Sequence, residues 1–427
     1  MRIVPFKQSP WLRFIILMGA VILALQVFIL PVFSQQPVTV RVMMQALEAQ
    51  QWQPLKANFE AQNPDIKLDI VAGPNDTNLV EDLYTSAFLL GDSPYDLIYL
   101  DIAWVPKFAA AQWLAPLEQY VSAAQLDDFL AGDVAGGRYD GQLYRMPFRS
   151  DAGMLYYRTD LLAAAGYDPP ATFDQLLDIS QALQESGAVQ WGYVWQGKQY
   201  EGIAAMFVEV LAGHGAFWID PDSLEVGLDA PEAIAALEFL RATIQNDISP
   251  PGVTTYAEEE TRRLFQSGDV AFLRNWPYVF ALAADSDLAG QFAIKPMVHA
   301  PGEKSGACQG GWGFGISATS RHPEATWRVI EYLSSTEAQR DYILETGYVP
   351  SRIELFNDPE IVAKYSHYPD LLAVVQNSTL RPPIAQYAQA SDILQRFLST
   401  ALTDQLTPTA ALEAAAQETR ALLGRAG

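Results

Sequence analysis

Two aromatic stretches hold the residues best suited to chemistry. The first is Arg274-Asn275-Trp276-Pro277-Tyr278. The second, about thirty residues on, is Gly310-Gly311-Trp312-Gly313-Phe314-Gly315. Trp and Tyr present flat apolar faces with a polar rim. Glycine lets backbone come close to a ligand and permits φ > 0. Flat faces with free backbone groups beside them suit a pyranose, which has apolar C–H faces and a belt of hydroxyls. A plainer alternative makes both indoles core and the glycines a turn, and it weighs equally for either tryptophan taken alone.

The elements that must position these groups follow from periodicity. Residues 270–273 form a short apolar run suited to a buried strand, which places Trp276 and Tyr278 at a strand end. Val38, Val40 and Val42 alternate as a strand; Trp52, Leu55 and Phe59 then recur at helical spacing. Ile66, Leu68 and Ile70 give the next strand, residues 78–90 a helix, 96–100 a third strand and 104–113 a third helix. This β-α-β-α-β-α order predicts a parallel sheet with helical crossovers. In such sheets ligands sit beyond the carboxyl ends of the strands. Glu48 follows the first strand and Asp101 the third, so both project from one edge. An N-cap of the following helix is an equal alternative for Asp101.

Residues 144–157 change character, with apolar stretches flanking a polar Arg149-Ser150-Asp151 centre. An extended segment charged at its midpoint reads as a chain crossing between lobes. Thr172 with Gln175 and Asp229 with Glu232 each spell a capping box. Residues 193–201 form a second aromatic-polar cluster ending in Tyr200 and Glu201, read either as further ligand contacts or as a surface turn. Pro323 opens a helix with a Trp327, Ile330 and Leu333 stripe, residues 347–352 read as a turn, and 410–423 as an Ala-rich terminal packing helix.

A chain of 427 residues exceeds one ordinary core, so two domains are expected. The net charge of −23 disfavours nucleic acid and anionic membrane surfaces as partners. Cys308 is the sole cysteine, and the four histidines show no metal-ligand spacing, so neither a disulfide framework, a metal nor a cofactor is expected. At the N-terminus, Arg2, Lys7 and Arg13 precede twenty uncharged residues, 14–33, and then Ser34. Residues 1–34 are expected to be a signal peptide, or else a membrane anchor, and to send the rest of the chain out of the cytoplasm.

Several segments, in order, resemble one family: Tyr156-Tyr157-Arg158-Thr159-Asp160-Leu161-Leu162, then the Trp276 stretch, the Trp312 stretch, and Gly347-Tyr348-Val349-Pro350-Ser351-Arg352. Together they resemble the extracytoplasmic sugar-binding proteins of ABC importers, above all the group that takes maltose, trehalose and related α-glucosides. The resemblance runs over residues 38–400. It implies an α/β, two-lobe periplasmic-binding-protein fold of type II that closes at a hinge. Lobe one would hold 36–148 and 315–353; lobe two would hold 149–314 and 354–427. The family's pocket falls on Glu48, with Gln45 and Gln50 as competitors for that place, and on Asp101, Asp151, Trp276, Tyr278, Gly311, Trp312 and Arg381, with Tyr200 and Glu201 as extra contacts. Carboxylates would take paired hydroxyl hydrogen bonds, strengthened by charge. The resemblance implies a periplasmic monomer that hands a sugar or glucoside to transmembrane permease subunits, with no enzymatic activity.

Two other readings compete. A secreted glycoside hydrolase also has aromatics and acids, but needs two carboxylates about 5–10 Å apart across the scissile bond. A polyamine receptor also uses stacked Trp and Asp to hold a cation. Within the sugar reading, Trp312→Ala is expected to abolish binding and leave the apo melting temperature nearly unchanged.

Overall fold

β1 (Val38–Gln45) sits between two parallel partners, β2 (Ile66–Gly73) and β3 (Leu97–Asp101). The parallel sheet expected from the alternating pattern is therefore present. Its edge acids follow: Glu48 lies in α1 (Ala46–Gln51), directly after β1, and Asp101 is the last residue of β3. β3 is buried along its whole length, as a strand covered on both faces must be. The computed structural model describes Trp11 and residues 36–221, 223–376 and 378–424. The expected export segment, apart from Trp11, lies outside the described residues. Among the described residues no helix is long and apolar enough to cross a membrane.

Long-range antiparallel pairing enlarges this sheet. In chain order the further strands are β4 (Met146–Ala152), β5 (Met154–Arg158), β6 (Trp191–Val194), β7 (Val270–Asn275), β8 (Phe292–Lys295), β9 (Gln309–Ser317) and β10 (Val349–Pro350). The first sheet has seven strands in the order β10-β4-β9-β3-β1-β2, with Leu114–Ala115 pairing β9. The second has four, in the order β8-β5-β7-β6. Only Gly153 separates β4 of the first sheet from β5 of the second. The result is the α/β, two-lobe architecture. Four helices matter for the site: α2 (Thr77–Leu89), α3 (Glu201–Gly213), α4 (Glu258–Gln266) and α5 (Tyr387–Leu402).

Trp52 is fully buried in the first sheet's core, edge-on to Tyr99, Phe148 and Phe314 with centroids 5.2–5.5 Å away. These rings come from three different strands, so the indole fixes their spacing. The stripe of Trp327, Ile330 and Leu333 is buried in helix Pro323–Leu333, as expected.

Local expectations fared unevenly. The Thr172–Gln175 capping box forms. The Asp229–Glu232 box does not: Ala230 is the N-cap of helix Pro231–Gln245, and Asp229 instead takes a bidentate ion pair from Arg420, each contact 2.8 Å. A charged partner outcompetes the capping amide for a carboxylate. The third helix is shorter than 104–113: a 3-10 turn, Ile102–Trp104, leads into Val105–Ala110. The turn expected over 347–352 is only partly a turn. Gly347 caps the preceding helix in the left-handed region (φ 72°), and the chain then pairs as β10.

Candidate ligand-binding cleft

All ten residues singled out from the sequence line one cleft of about 350 Å³. That lies at the small end of the roughly 300–1,000 Å³ usual for small-molecule sites. The end of β3 and α1 supply Asp101 and Glu48; β4 and β9 supply Asp151, Gly311 and Trp312. From the second sheet's side come Trp276 and Tyr278 after β7, and Tyr200 and Glu201 at the start of α3. Arg381 enters from the segment before α5.

The Arg-Asn-Trp triplet has a local cause. Arg274 is fully buried, and its guanidinium carbon lies 4.2 Å from the centroid of the Trp276 ring. Asn275 donates to the Glu258 carbonyl of α4 (3.1 Å) and accepts from the Trp276 backbone N–H (2.8 Å). The Tyr156 hydroxyl donates to the Trp276 carbonyl (2.7 Å). The indole N–H reaches Glu258 (3.4 Å), and Tyr278 donates to Glu259 (2.9 Å). Trp276 is thus pinned at its backbone and its edge, and the partly buried residue lines the cleft. Gly310 leaves room for it: a Cβ there would lie 3.2 Å from Trp276 Cζ3 and 3.0 Å from Asp151 Cβ.

Two arginines neutralise most of the acids. Arg149 pairs with Glu48 (2.7 Å) and with Asp151. The Tyr99 hydroxyl donates to the other Glu48 oxygen (2.6 Å), and only 1% of Glu48 is exposed. Arg381 bridges Asp101 (2.7 Å) and Glu201 (2.6 Å). Asp101 also accepts from the Ala103 backbone N–H (2.8 Å), so it is an N-cap and a cleft residue at once. Glu201 further accepts from Ser391 (2.6 Å) and from Tyr387. Glu48 and Glu201 are therefore occupied by protein donors. Asp151 Oδ1 and Arg381 Nε are buried without a hydrogen-bond partner in the protein. Both residues line the cleft, and an unpartnered acceptor and donor at its wall suit a ligand's hydroxyls.

Burial pushes the Asp151 carboxyl up to about 7; Arg149 opposes the shift, while Glu48, Asp101 and Asp133 reinforce it. One guanidinium shared between two carboxylates cannot hold both fully ionised away from water. Burial also works against the Arg149 charge, but Glu48, Tyr99 and Asp151 more than offset it, and its pKa lies above the ordinary arginine value.

The sequence reading missed Arg149, although it lies in the polar centre with Asp151, and it missed Tyr348, Glu258, Glu259 and Arg263. Tyr348 stacks under Arg149, whose guanidinium carbon is 4.3 Å from its ring centroid. The expectation for Trp312 needs correction. It is only 5% exposed and packs against Tyr99 (5.0 Å) and Trp104 (5.2 Å). It is core and cleft wall together, so Trp312→Ala is expected to lower apo stability by about 3–5 kcal/mol.

The profile of a family described as bacterial extracellular solute-binding protein matches residues 45–340. A probable ABC transporter-binding protein of Deinococcus radiodurans is 31% identical over 370 residues, covering 84% of this chain and 87% of its own. A mannitol-binding protein of Pseudomonas aeruginosa is 26% identical over 401 residues, covering 88% and 90%. Among solved structures, maltose-bound MalE3 of T. maritima superposes with a TM-score of 0.85 at 34% identity, covering 90% of this chain and 100% of that one.

Proposed function

The chain belongs to the bacterial extracellular solute-binding protein family of ABC importers, and from that premise we propose that its solute is a neutral di- or oligosaccharide, glucoside or sugar alcohol. It is a binding protein, not an enzyme, and it works outside the cytoplasm with permease subunits. In this reading it is a periplasmic monomer. Its lobes hinge shut over the solute; because 149–152 and 309–314 pair within the first sheet, the lobe boundaries expected at 149 and 314 move to Gly153 and to the segment before Gln309.

One observation carries the choice of solute. Aromatic rings and polar side chains line the same cavity, with Trp276 on the second sheet's side and Asp151, whose Oδ1 has no hydrogen-bond partner in the protein, on the first's. Trp276 covers a C–H face, and Asp151 and Arg381 take hydroxyls. Maltose and mannitol, for which two of the relatives are named, are of this class. A polyamine fits less well, because the cleft acids Glu48, Asp101, Asp151 and Glu201 already have arginine partners. A phosphorylated solute would meet these carboxylates and the further acids Glu258 and Glu259.

A thermal-shift screen of the purified protein tests this, using maltose, trehalose, mannitol and spermidine. At about a hundred times Kd a ligand adds close to 2.7 kcal/mol of stability, which shows as a rise of several degrees. Maltose or another neutral polyol is expected to give that rise, and spermidine none. A rise with spermidine alone would sink the proposal.

A further inference from the structure

Arg274 and Glu209 form a buried ion pair of a kind that is weak evidence for fold stability by itself. Both side chains are fully shielded from solvent. Replacing such a pair with well-packed neutral residues is often neutral or stabilising. Here the pair is held with every nitrogen of the guanidinium engaged. Nε donates to Glu209 Oε2 (2.7 Å), Nη2 to Glu209 Oε1, and Nη1 to Gln196 Oε1 (3.0 Å). A guanidinium tied at three nitrogens cannot rotate, so its plane is fixed. That plane lies against the Trp276 ring. Since Arg274 is wholly buried, it covers the ring's inner face, and the exposed part of the ring looks into the cleft.

Glu209 also touches the place where the chain passes between the sheets. Its Oε1 accepts the Cys308 backbone N–H (3.3 Å), one residue before β9. The same oxygen lies only 1.6 Å from where a Cβ on Gly153 would stand, between β4 and β5. A single carboxylate therefore meets both strand crossings and holds the plate behind Trp276.

We propose that Arg274, fixed by Glu209, is a positioning residue for solute capture: it sets the plane of Trp276 and ties that plane to the crossing between the sheets. This rests on the reading that Trp276 covers a face of the solute. Arg274 touches no solute itself. It acts by removing the rotational freedom the indole would otherwise lose on binding, and preorganisation of that kind appears as affinity.

The test is a double-mutant cycle on the full chain, read by calorimetric titration with whichever of maltose, trehalose or mannitol gives the largest thermal shift. The pair is replaced together as Arg274→Met with Glu209→Gln, alone and with Trp276→Ala. The pair variant is expected to keep its apo melting temperature within a few degrees and to lose about ten- to thirtyfold in affinity, up to the scale of a desolvated cation–π contact. Added to Trp276→Ala, the pair change should cost nothing more, because the ring it positions is gone. A pair with a merely structural role would give losses that add, and that result overturns the proposal. Should the pair variant fail to fold, Arg274→Lys keeps the charge beside Glu209 but not the flat fork. It should then lose at least about threefold in affinity, and wild-type affinity in that variant refutes the role. If Trp276→Ala itself binds as wild type does, the stacking reading falls and this inference with it. If Trp276→Ala loses affinity while the folded pair variant does not, this inference alone fails.

Discussion

Asp151 is the residue whose chemistry pH should expose. Its carboxyl stands at about 7 against an ordinary value of 3.8, raised first by burial. A carboxyl whose folded pKa is raised holds its proton longer in the native state than in the unfolded one. Its stabilising contribution is complete below the unfolded value and is lost as pH climbs through the folded one. Relative to Asp151→Asn, the wild-type apo melting temperature should therefore fall between about pH 4 and pH 7. Ligand binding should run the opposite way. A hydroxyl donates more strongly to a carboxylate than to a carboxylic acid, so solute affinity should rise over the same window and stay flat in Asp151→Asn. Calorimetric titration at several pH values reads this directly, and a flat wild-type profile would remove Asp151 from the solute contact. Sequence alone exposed Asp151 as an acid at a crossing. It did not expose Arg149's double duty, because spacing along the chain does not say which charges share a cavity. The same limit hid Glu201's saturation, since its partners Arg381, Tyr387 and Ser391 are at least 180 residues away.

At the scale of elements, the start of α2 joins the two sides of the cleft. Asp76 is its N-cap, with Oδ1 accepting from Asn78 N–H (3.0 Å) and Leu79 N–H (3.3 Å). Its other oxygen takes Lys198 Nζ (3.2 Å), from the loop before α3, and Asn78 accepts the Glu201 backbone N–H (3.2 Å). These roles separate by substitution. Asp76→Ala removes cap and ion pair and should cost about 1 kcal/mol or slightly more. Asp76→Asn keeps a cap and should cost only a few tenths, close to Lys198→Ala, since a partly exposed pair contributes about 0–1 kcal/mol. Denaturant unfolding measures all three, and equal losses for Asp76→Asn and Asp76→Ala would move the energy from the cap to the ion pair. Elements built from local periodicity were legible: β1 to β3, their crossover helices and the helix from Pro323. The antiparallel insertion of β9 between β3 and β4 was not, because its partners lie more than 150 residues back. Nor was β10, whose Val349 and Pro350 look like a turn until β4 is placed beside them.

For the whole molecule, the decisive feature is a cation shared across the cleft. Asp101 ends a strand of the first sheet, and Glu201 opens the helix that follows β6 of the second. Arg381 stands between them, 4% exposed at its side chain, pairing with both. In a chain of net charge −23, closing two acidic walls without that cation would press carboxylates together in a medium that screens poorly. Breaking a buried pair by removing one partner typically costs about 3–5 kcal/mol. Under the proposed hinge closure, Arg381→Met should place most of that cost on the closed form, because opening the cleft would return Asp101 and Glu201 to water. The variant is expected to scatter X-rays with a larger radius of gyration than the wild type and to bind its solute at least about a hundredfold more weakly. Adding Glu201→Gln should recover part of both, since one of the opposed charges is gone. An unchanged scattering curve together with unchanged affinity in Arg381→Met would mean that the two walls meet without help from this arginine, and that closure rests on apolar contacts alone.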